Sequence, residues 1–155
     1  YLLPVPVLKR ALPLCLGPAA WVQALSVSLA FGLLVHVRLN SDFSVLNVVQ
    51  HSNLQLPTLY KIVGTWGNHE GSMLLWVLVL AVFGACVAFR ALPTPDLRPL
   101  VVSVQAALSV GVLLFVLFTS NPFARVFPPL VDGEALNPLL QDLGLAMHPP
   151  LLYFG

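Results

Sequence analysis

The sequence predicts an all-α, multi-pass transmembrane protein with three complete spans and the start of a fourth. The composition is the first reason, because 58% of the residues are hydrophobic and only 8% are charged, whereas soluble domains carry about 25% charged residues. The second reason is that residues 11–37, 71–89 and 99–124 contain no Asp, Glu, Lys or Arg. These intervals hold 27, 19 and 26 residues, and a helix needs about 20 apolar residues to cross a bilayer core.

Local signals divide residues 1–155, a single membrane domain fragment, into spans and two long loops. Gly17-Pro18 interrupts the first apolar stretch, and proline is well tolerated at a helix start, so the first span should begin just after it. The predicted order is a span at about 19–37, a loop at about 38–71, spans at about 72–89 and 99–118, a loop at about 119–148, and a fourth span from about 149. The second loop is expected to carry an amphipathic helix.

The distribution of cations predicts that both long loops face outward, to the periplasm or the mitochondrial intermembrane space. The positive-inside rule counts Lys and Arg in short loops near the membrane. Four cations lie near span ends on one side, and three are spread over the long loops on the other: Lys9, Arg10, Arg90 and Arg98 against Arg38, Lys61 and Arg125. The net charge of +1 and the absence of a basic cluster argue against nucleic acid as a partner.

Apolar residues recur at helical intervals in the segment from Leu136 to Met147. Asn137 can cap this helix, and Pro138 suits its first position. The pattern predicts a short amphipathic helix that lies on the membrane face or packs against other helices. Both alternatives remain open at this stage.

His148 stands directly before Pro149 and Pro150. Proline pushes the preceding residue toward extended geometry, while the prolines themselves suit a helix's first turn. The pattern predicts His148 at the mouth of the fourth span, where the helix N-terminus would favour a neutral imidazole that can bind a metal. The alternative is a histidine that makes hydrogen bonds at the membrane interface.

The stretch GTWGNHEGSMLLW at 64–76 places His69 and Glu70 at the edge of the second span. One interpretation is structural: Glu70 complements the helix dipole, and Asn68 or Ser72 caps the helix. In the other, Trp66, His69 and Glu70 face a polar or ligand-filled cavity, since ionisable groups at membrane depth usually mark such places.

Other metal and phosphate motifs are excluded. A zinc-protease HExxH motif would need histidine at position 73, where the chain has Met73, and the glycines do not fit a nucleotide-binding loop. Cys15 and Cys86 form no CxxC pair, so both are predicted to be buried, inert thiols. His36 and His51 have no supporting pattern and are expected to be solvated or interfacial.

Three stretches, in this order, resemble the N-terminal part of the CcmF family: YKIVGTWGNHEGSMLLWVL at 60–78, LFTSNPFARVFP at 117–128 and LNPLLQDLGLAMHPPLLYFG at 136–155. CcmF is the large membrane subunit of the cytochrome c haem lyase, and it belongs with NrfE and CcsA to a haem-handling group. The resemblance covers about residues 40–155. Leu143 stands where the family commonly has proline.

The resemblance implies a protein that receives b-type haem in transit to cytochrome c and helps attach it to apocytochrome c by thioether bonds. It implies that His148 is an axial ligand of the haem iron, with Trp66, His69 and Glu70 as candidates for facing haem or a partner. No catalytic residue is assigned. The chain alone is not expected to be active, because the family's Trp-rich loop and second outer histidine lie beyond the matching part.

The same resemblance implies a set of partners in a bacterial or mitochondrial inner membrane. They are a haem chaperone, apocytochrome c with its thiol-presenting subunit, membrane lipid, and the remaining CcmF portion or a separate subunit with the Trp-rich loop. Two rival functions stay open. One is a non-catalytic structural or assembly subunit of a larger membrane complex; the other is a quinol- or proton-handling subunit that uses His69 and Glu70 as a relay.

Overall fold

The computed structural model describes residues 5–89 and 97–154. This part of the chain forms helices and contains no β-strand. The helices are α1 (Val5–Leu39), α2 (Leu46–His51), α3 (Thr58–Val63), α4 (His69–Phe89), α5 (Leu97–Phe118), a 3₁₀ helix (Pro138–Gln141) and α6 (Leu143–Phe154). Three segments are long and apolar enough to cross a membrane: Cys15–Leu39 of α1, α4 and α5. The predicted fold class is confirmed. Arg90 and the rest of residues 90–96, most of the stretch between the predicted spans at 72–89 and 99–118, lie outside the described residues.

The first helix does not break at Gly17-Pro18, contrary to the sequence-based expectation. Helix α1 is continuous from Val5 to Leu39, and its candidate span begins at Cys15. Proline is tolerated inside membrane helices because neighbouring groups can take up the backbone groups that it leaves free. Gly17 also lies where a side chain would touch the ring of Phe89, so the absence of a side chain suits close packing of α1 on the end of α4.

Helix α4 is the centre of the bundle. In its span 44% of the residues are buried inside the protein, against 22% for α1 and 17% for α5. Small side chains dominate the contact between the helices, and such residues let membrane helices approach closely. The core cluster there consists of Ala20, Ala24, Ala81, Ala85, Ala88 and Val102.

A polar side chain joins α5 to α4 within the bundle. The Gln105 amide donates a hydrogen bond to the Leu80 carbonyl, and its head group lies against Gly84. A side chain at Gly84 would press on this amide. Polar side chains commonly connect helices in this way inside membranes.

The two long loops pack on each other at one end of the bundle and form what we call the loop cap, residues 40–68 and 119–142. The Leu46 amide donates to the Ala124 carbonyl and the Val126 amide donates to the Ser44 carbonyl, each at 2.8 Å. A small apolar core supports these contacts: Phe43, Val45, Val48 and Val49. Both loops therefore lie on the same side of the three spans, as their order in the sequence requires.

The predicted amphipathic helix at 136–147 is divided in two. Asn137 caps the 3₁₀ helix, since its side chain accepts a hydrogen bond from the Leu139 amide at 3.0 Å, and Pro138 comes first, as predicted. Asp142 is extended and ends this turn, and α6 starts at Leu143. The physical reason is that Asp142 caps the next helix: its carboxylate accepts from the Leu145 amide at 3.0 Å.

Helix α6 runs beside α4 from the loop cap into the bundle. Its first half lies against Trp66, just before α4 begins. Its last described residue, Phe154, meets Phe83 of α4 with the ring centroids 6.3 Å apart. Since Phe83 lies well inside the α4 span, α6 follows the direction that the start of a further span requires.

The predicted burial of the two cysteines is wrong for this part of the protein. Cys15 on α1 and Cys86 on α4 are both free thiols exposed on the outside of the bundle. Buried alanines on α1 and α4 fill the contact between these helices instead. Apolar periodicity was too weak in these nearly uniform spans to indicate which face is buried.

Candidate functional site

The glycine-rich turn before α4 folds back on the start of that helix. Asn68 is the N-cap, because its side-chain oxygen accepts from the Gly71 amide at 2.8 Å. The Ser72 hydroxyl donates to the Trp66 carbonyl at 2.6 Å. A Cβ atom at Gly71 would overlap the Thr65 carbonyl, so this close return needs glycine. The turn thus presents Trp66 from a fixed backbone position.

Arg38 is fully buried where α1 enters the loop cap. Its guanidinium donates to four oxygens from three residues: the Lys61 carbonyl at 3.3 Å, the His51 carbonyl at 2.9 Å, the Asn47 carbonyl at 3.2 Å and the Asn47 Oδ1 at 2.6 Å. In the described part of the chain it forms no ion pair with a carboxylate. A side chain at Gly64 would collide with the guanidinium, so this glycine leaves the space that Arg38 fills.

Asn47 carries the network from Arg38 to the start of α4. Its amide nitrogen donates to the Asn68 Oδ1 at 2.8 Å and lies 3.4 Å from Glu70 Oε2. The Glu70 carboxylate therefore faces the end of α1 and α2. This position agrees with a structural role for Glu70 at the N-terminus of α4. Through Asn47, the Glu70 carboxylate is also connected to the buried Arg38 guanidinium.

His69 faces a different element from Glu70. Its ring is exposed and meets the Phe115 ring of α5 edge-on, with centroids 6.0 Å apart. The two residues are adjacent in sequence but contact opposite neighbours, α5 and α2. The structure does not bring their side chains together as one pair.

An ion pair on the exposed side of the loop cap involves Asp42 and Arg125, whose nearest charged atoms are 3.5 Å apart. The Ser44 hydroxyl and amide also donate to the Asp42 carboxylate, at 2.6 and 3.0 Å. These hydrogen bonds hold the pKa of Asp42 below its usual value, with a smaller contribution from Arg125. Both side chains are exposed, so this pair contributes little to stability.

Trp66 connects the glycine-rich turn to α6. Its indole N–H donates to the Ala146 carbonyl at 2.8 Å. Tyr60 makes a second connection, because its hydroxyl donates to the Gln141 carbonyl at 2.9 Å. These two hydrogen bonds fix the start of α6 to the segment between α3 and α4. The residues that each bond joins are 80 and 81 positions apart in sequence, respectively.

His148 lies inside α6, so the prediction that it stands at a helix mouth is corrected. The helix begins at Leu143, and Pro149 and Pro150 are internal to it. The Asp142 cap starts the helix early, which overrides the preference of a residue before proline for extended geometry. The dipole effect is confined to the first turn. His148 lies in the second turn of α6, beyond the reach of this effect.

The environment of His148 is an exposed apolar face of α6. The imidazole itself is exposed, and the described residues show no hydrogen bond to it. Residues three and four positions away share its face: these are Gly144, Leu145, Leu151 and Leu152, all exposed. No three His, Cys, Asp or Glu side chains converge on a possible ion site in the described residues. His148 thus offers one imidazole nitrogen within an apolar surface.

Residues 66–155 match the protein family described as "Cytochrome C assembly protein". The chain belongs to the cytochrome c assembly protein family. The matched region begins at Trp66 and contains both partners of the Trp66 to Ala146 hydrogen bond. Every residue proposed from the family resemblance, from Trp66 to His148, lies within this cytochrome c assembly region.

Curated relatives within the family carry names from cytochrome c biogenesis. The chain is 53% identical over 137 residues to the cytochrome c-type biogenesis protein CycK of Bradyrhizobium diazoefficiens, covering 88% of this chain and 21% of that protein. It is 49% identical over 138 residues to the cytochrome c-type biogenesis protein CcmF of Escherichia coli, covering 88% and 21%. It is 46% identical over 142 residues to the probable cytochrome c-type biogenesis protein NrfE of Escherichia coli, covering 91% and 25%.

The chain spans about a fifth to a quarter of the length of these relatives. No solved structure matches it. With three membrane-crossing helices and relatives of this kind, it is a multi-pass membrane protein of the cytochrome c assembly family.

Sequence reasoning missed two features of this family member. It counted Arg38 as a loop cation, although the side chain is buried. The sequence held no clear signal for this, because three of the four acceptors of Arg38 are backbone carbonyls. It also missed that Trp66 binds the backbone of the helix that carries His148. The proline at position 150 was the available signal, since it leaves one carbonyl without a helical partner.

Proposed function

We propose that this chain is part of a cytochrome c maturation haem lyase and that it positions haem at the outer membrane face for thioether attachment to apocytochrome c. Family membership supports the maturation role. The observation that carries the haem role is the place of His148, an exposed imidazole in the middle of an exposed apolar face. The geometry suits a ligand that is flat, largely apolar and in need of one axial nitrogen.

The residues around His148 fit haem by their chemistry. His148 would supply the axial imidazole, while Leu145, Leu151 and Leu152 would contact the macrocycle and exclude water from the iron side. Gly144, four residues before His148, carries no side chain on the same face. Haem, when bound, supplies the iron and the vinyl groups that react with cysteine thiols. Trp66, His69 and Glu70 remain candidates for haem or partner contact.

We place the protein in a bacterial or mitochondrial inner membrane with the loop cap on the outer side. The contacts between the two long loops support a common side for both, and the excess of Lys and Arg near the opposite span ends supports the outward direction. The loop cap would then meet a haem chaperone and apocytochrome c with its thiol-presenting subunit. The Trp-rich loop would come from the remaining CcmF portion or from another subunit.

The two rival functions differ in what supports them. A non-catalytic assembly subunit would keep the same fold without binding haem, and the experiment below separates it from the lyase. The relay hypothesis requires His69 and Glu70 to act together, but these side chains face α5 and α2, respectively. No contact in the described residues favours the relay.

The decisive test is haem content in the full-length protein with its native partners. We expect His148→Ala to lower haem per protein in a pyridine haemochrome assay and to lower the yield of c-type cytochromes. His36→Ala is the matched control, since His36 is an exposed histidine at the same end of the bundle, and it should leave both values unchanged. Unchanged haem in His148→Ala would contradict the ligand assignment. Wild-type protein without haem would favour the assembly subunit.

A further inference from the structure

We propose that Trp66 is the positioning residue for His148: its indole N–H replaces the helix hydrogen bond that Pro150 cannot make and thereby sets how α6 is rotated. The hydrogen-bond argument stands on this structure alone. Its consequence for haem rests on the proposed function, because it assumes that His148 is the ligand.

Pro150 leaves the Ala146 carbonyl without its helical hydrogen-bond donor, and the Trp66 indole N–H takes that place. In an α-helix each carbonyl accepts from the amide four residues later, so the partner of the Ala146 carbonyl would be residue 150. Pro150 has no N–H to donate. Ala146 is fully buried, and a buried carbonyl without a partner is costly. The Trp66 indole donates to this carbonyl at 2.8 Å.

The same region of α6 is weakened at its centre. Pro149 cannot donate to Leu145, just as Pro150 cannot donate to Ala146, so two successive helical hydrogen bonds are missing around His148. A helix with this defect bends and rotates more readily than an intact one. An external donor that holds one of the two carbonyls therefore restricts the conformations open to α6.

Holding Ala146 determines where His148 points. Successive residues turn by about 100° around a helix axis, so His148, two residues after Ala146, lies about 200° away. With Ala146 held against Trp66, His148 must face away from the loop cap, on the exposed side. This is the side on which the structure places it.

Trp66 itself is held well enough to act as a fixed donor. Its amide donates to the Val63 carbonyl at 3.2 Å, and its carbonyl accepts from the Ser72 hydroxyl at 2.6 Å. Its side chain is half-buried between the turn and α6. The Tyr60 hydroxyl on the Gln141 carbonyl fixes the chain just before α6, at 2.9 Å.

The test uses four forms of the full-length protein: wild type, Trp66→Phe, Pro150→Ala and the double variant. Phenylalanine keeps an aromatic ring but has no N–H, whereas alanine at position 150 supplies the missing helical donor. In the haem-free protein, we expect Trp66→Phe to speed amide hydrogen exchange in α6 by about fivefold, as loss of one buried hydrogen bond implies. In the Pro150→Ala background the same change should have almost no effect.

Measuring haem in the same four forms tests whether the Trp66 hydrogen bond also affects His148. We expect Trp66→Phe to lower haem content and shift the haem reduction potential, and we expect Pro150→Ala to restore both in the double variant. Trp76→Phe is the matched control, because Trp76 lies on α4 with a partly exposed ring and should change neither value.

Two results would overturn the proposal. Exchange in α6 that is unchanged by Trp66→Phe would show that the indole does not hold the helix. Effects of the two substitutions that simply add would show that Trp66 does not act through the Ala146 carbonyl. A wrong haem function would give a different result. Amide hydrogen exchange in α6 would still show that the effects of Trp66→Phe and Pro150→Ala depend on each other, which supports the role of Trp66 in holding α6. Haem content, however, would not change in His148→Ala.

Discussion

Arg38 shows how a single buried cation organises the loop cap. Burying a charge without a partner is very costly, yet here the partners are neutral oxygens from Asn47, His51 and Lys61. Arginine suits this arrangement because its planar group offers five donors in a fixed fork and is weakly hydrated. The side chain therefore ties the end of α1 to both short helices of the cap.

Arg38→Lys should destabilise the protein by about 2 kcal/mol, because one ammonium cannot reach acceptors that lie around a guanidinium. Thermal unfolding of the detergent-solubilised protein would measure this. Arg125→Lys is the matched control: Arg125 is 64% exposed, and surface ion pairs contribute about 1 kcal/mol or less. Equal losses in both variants would show that the buried network does not need the guanidinium shape.

Two helical glycines in the spans should respond oppositely to alanine. Gly71→Ala places a Cβ against the Thr65 carbonyl, and such overpacking typically costs about 1–3 kcal/mol. Gly111→Ala meets no atom of the described residues within 4 Å and should stabilise α5 by about 0.5–1 kcal/mol through helix propensity. Unfolding midpoints of both variants would check the contrast. A tolerated Gly71→Ala would mean that the turn does not return as closely as described.

At the level of elements, α6 is the case in which tertiary contacts override local preferences. The sequence places two prolines where a helix should start, but the helix starts six residues earlier at Leu143. The Asp142 cap starts the helix, and the Trp66 indole replaces one of the two hydrogen bonds that the prolines remove. Position 143 is then the first helical residue, where proline is favoured, which gives a physical reason for the proline that the resemblance to the CcmF family implies there.

Leu143→Pro should therefore stabilise the protein by about 0.4–1 kcal/mol, because it restricts the unfolded chain without breaking a native hydrogen bond. Leu145→Pro is the matched control. The Leu145 amide donates to Asp142, and loss of this cap should cost about 1 kcal/mol or more. Unfolding midpoints measured side by side would test both. Destabilisation by both substitutions would contradict a helix that begins at 143.

Local rules predicted the elements well, and distant contacts explain what they missed. The charge-free intervals gave the three spans, and Asn68 and Asn137 cap as their types suggest. By contrast, the Trp66 to Ala146 hydrogen bond joins residues 80 positions apart. No periodicity or capping rule relates such positions. Pro150 indicates a carbonyl without a helical partner, but no local rule identifies Trp66 as its donor.

At the level of the whole molecule, the three-helix bundle leaves much of its surface available to lipid or further helices. Among the spans α4 is the most enclosed, whereas α1 and α5 expose long apolar faces. A side chain added at Gly32 on α1 would meet no atom within 4 Å in the described part of the chain. Small residues at open positions allow another helix to approach closely.

The outward orientation of the loop cap can be tested by labelling. In a variant with Cys15 and Cys86 replaced by serine, a cysteine at Gln55 should react with a membrane-impermeant maleimide from the periplasm or intermembrane space, because the residue is exposed in the cap. Leu97→Cys, at the start of α5 and on the opposite side of the bundle, should react only after permeabilisation. The reverse pattern would overturn the orientation derived from the positive-inside rule.

The acceptors around Arg38 also bear on the order in which the protein is made. All of them lie between residues 47 and 61, so every partner is synthesised before α4 begins. In the proposed orientation, the cation is carried across the membrane behind the first span and stays hydrated until this short stretch arrives. The first loop can then close around Arg38 without any contact from the second loop. Assembly of the cap would begin during translocation, and the second loop would dock on a surface already in place.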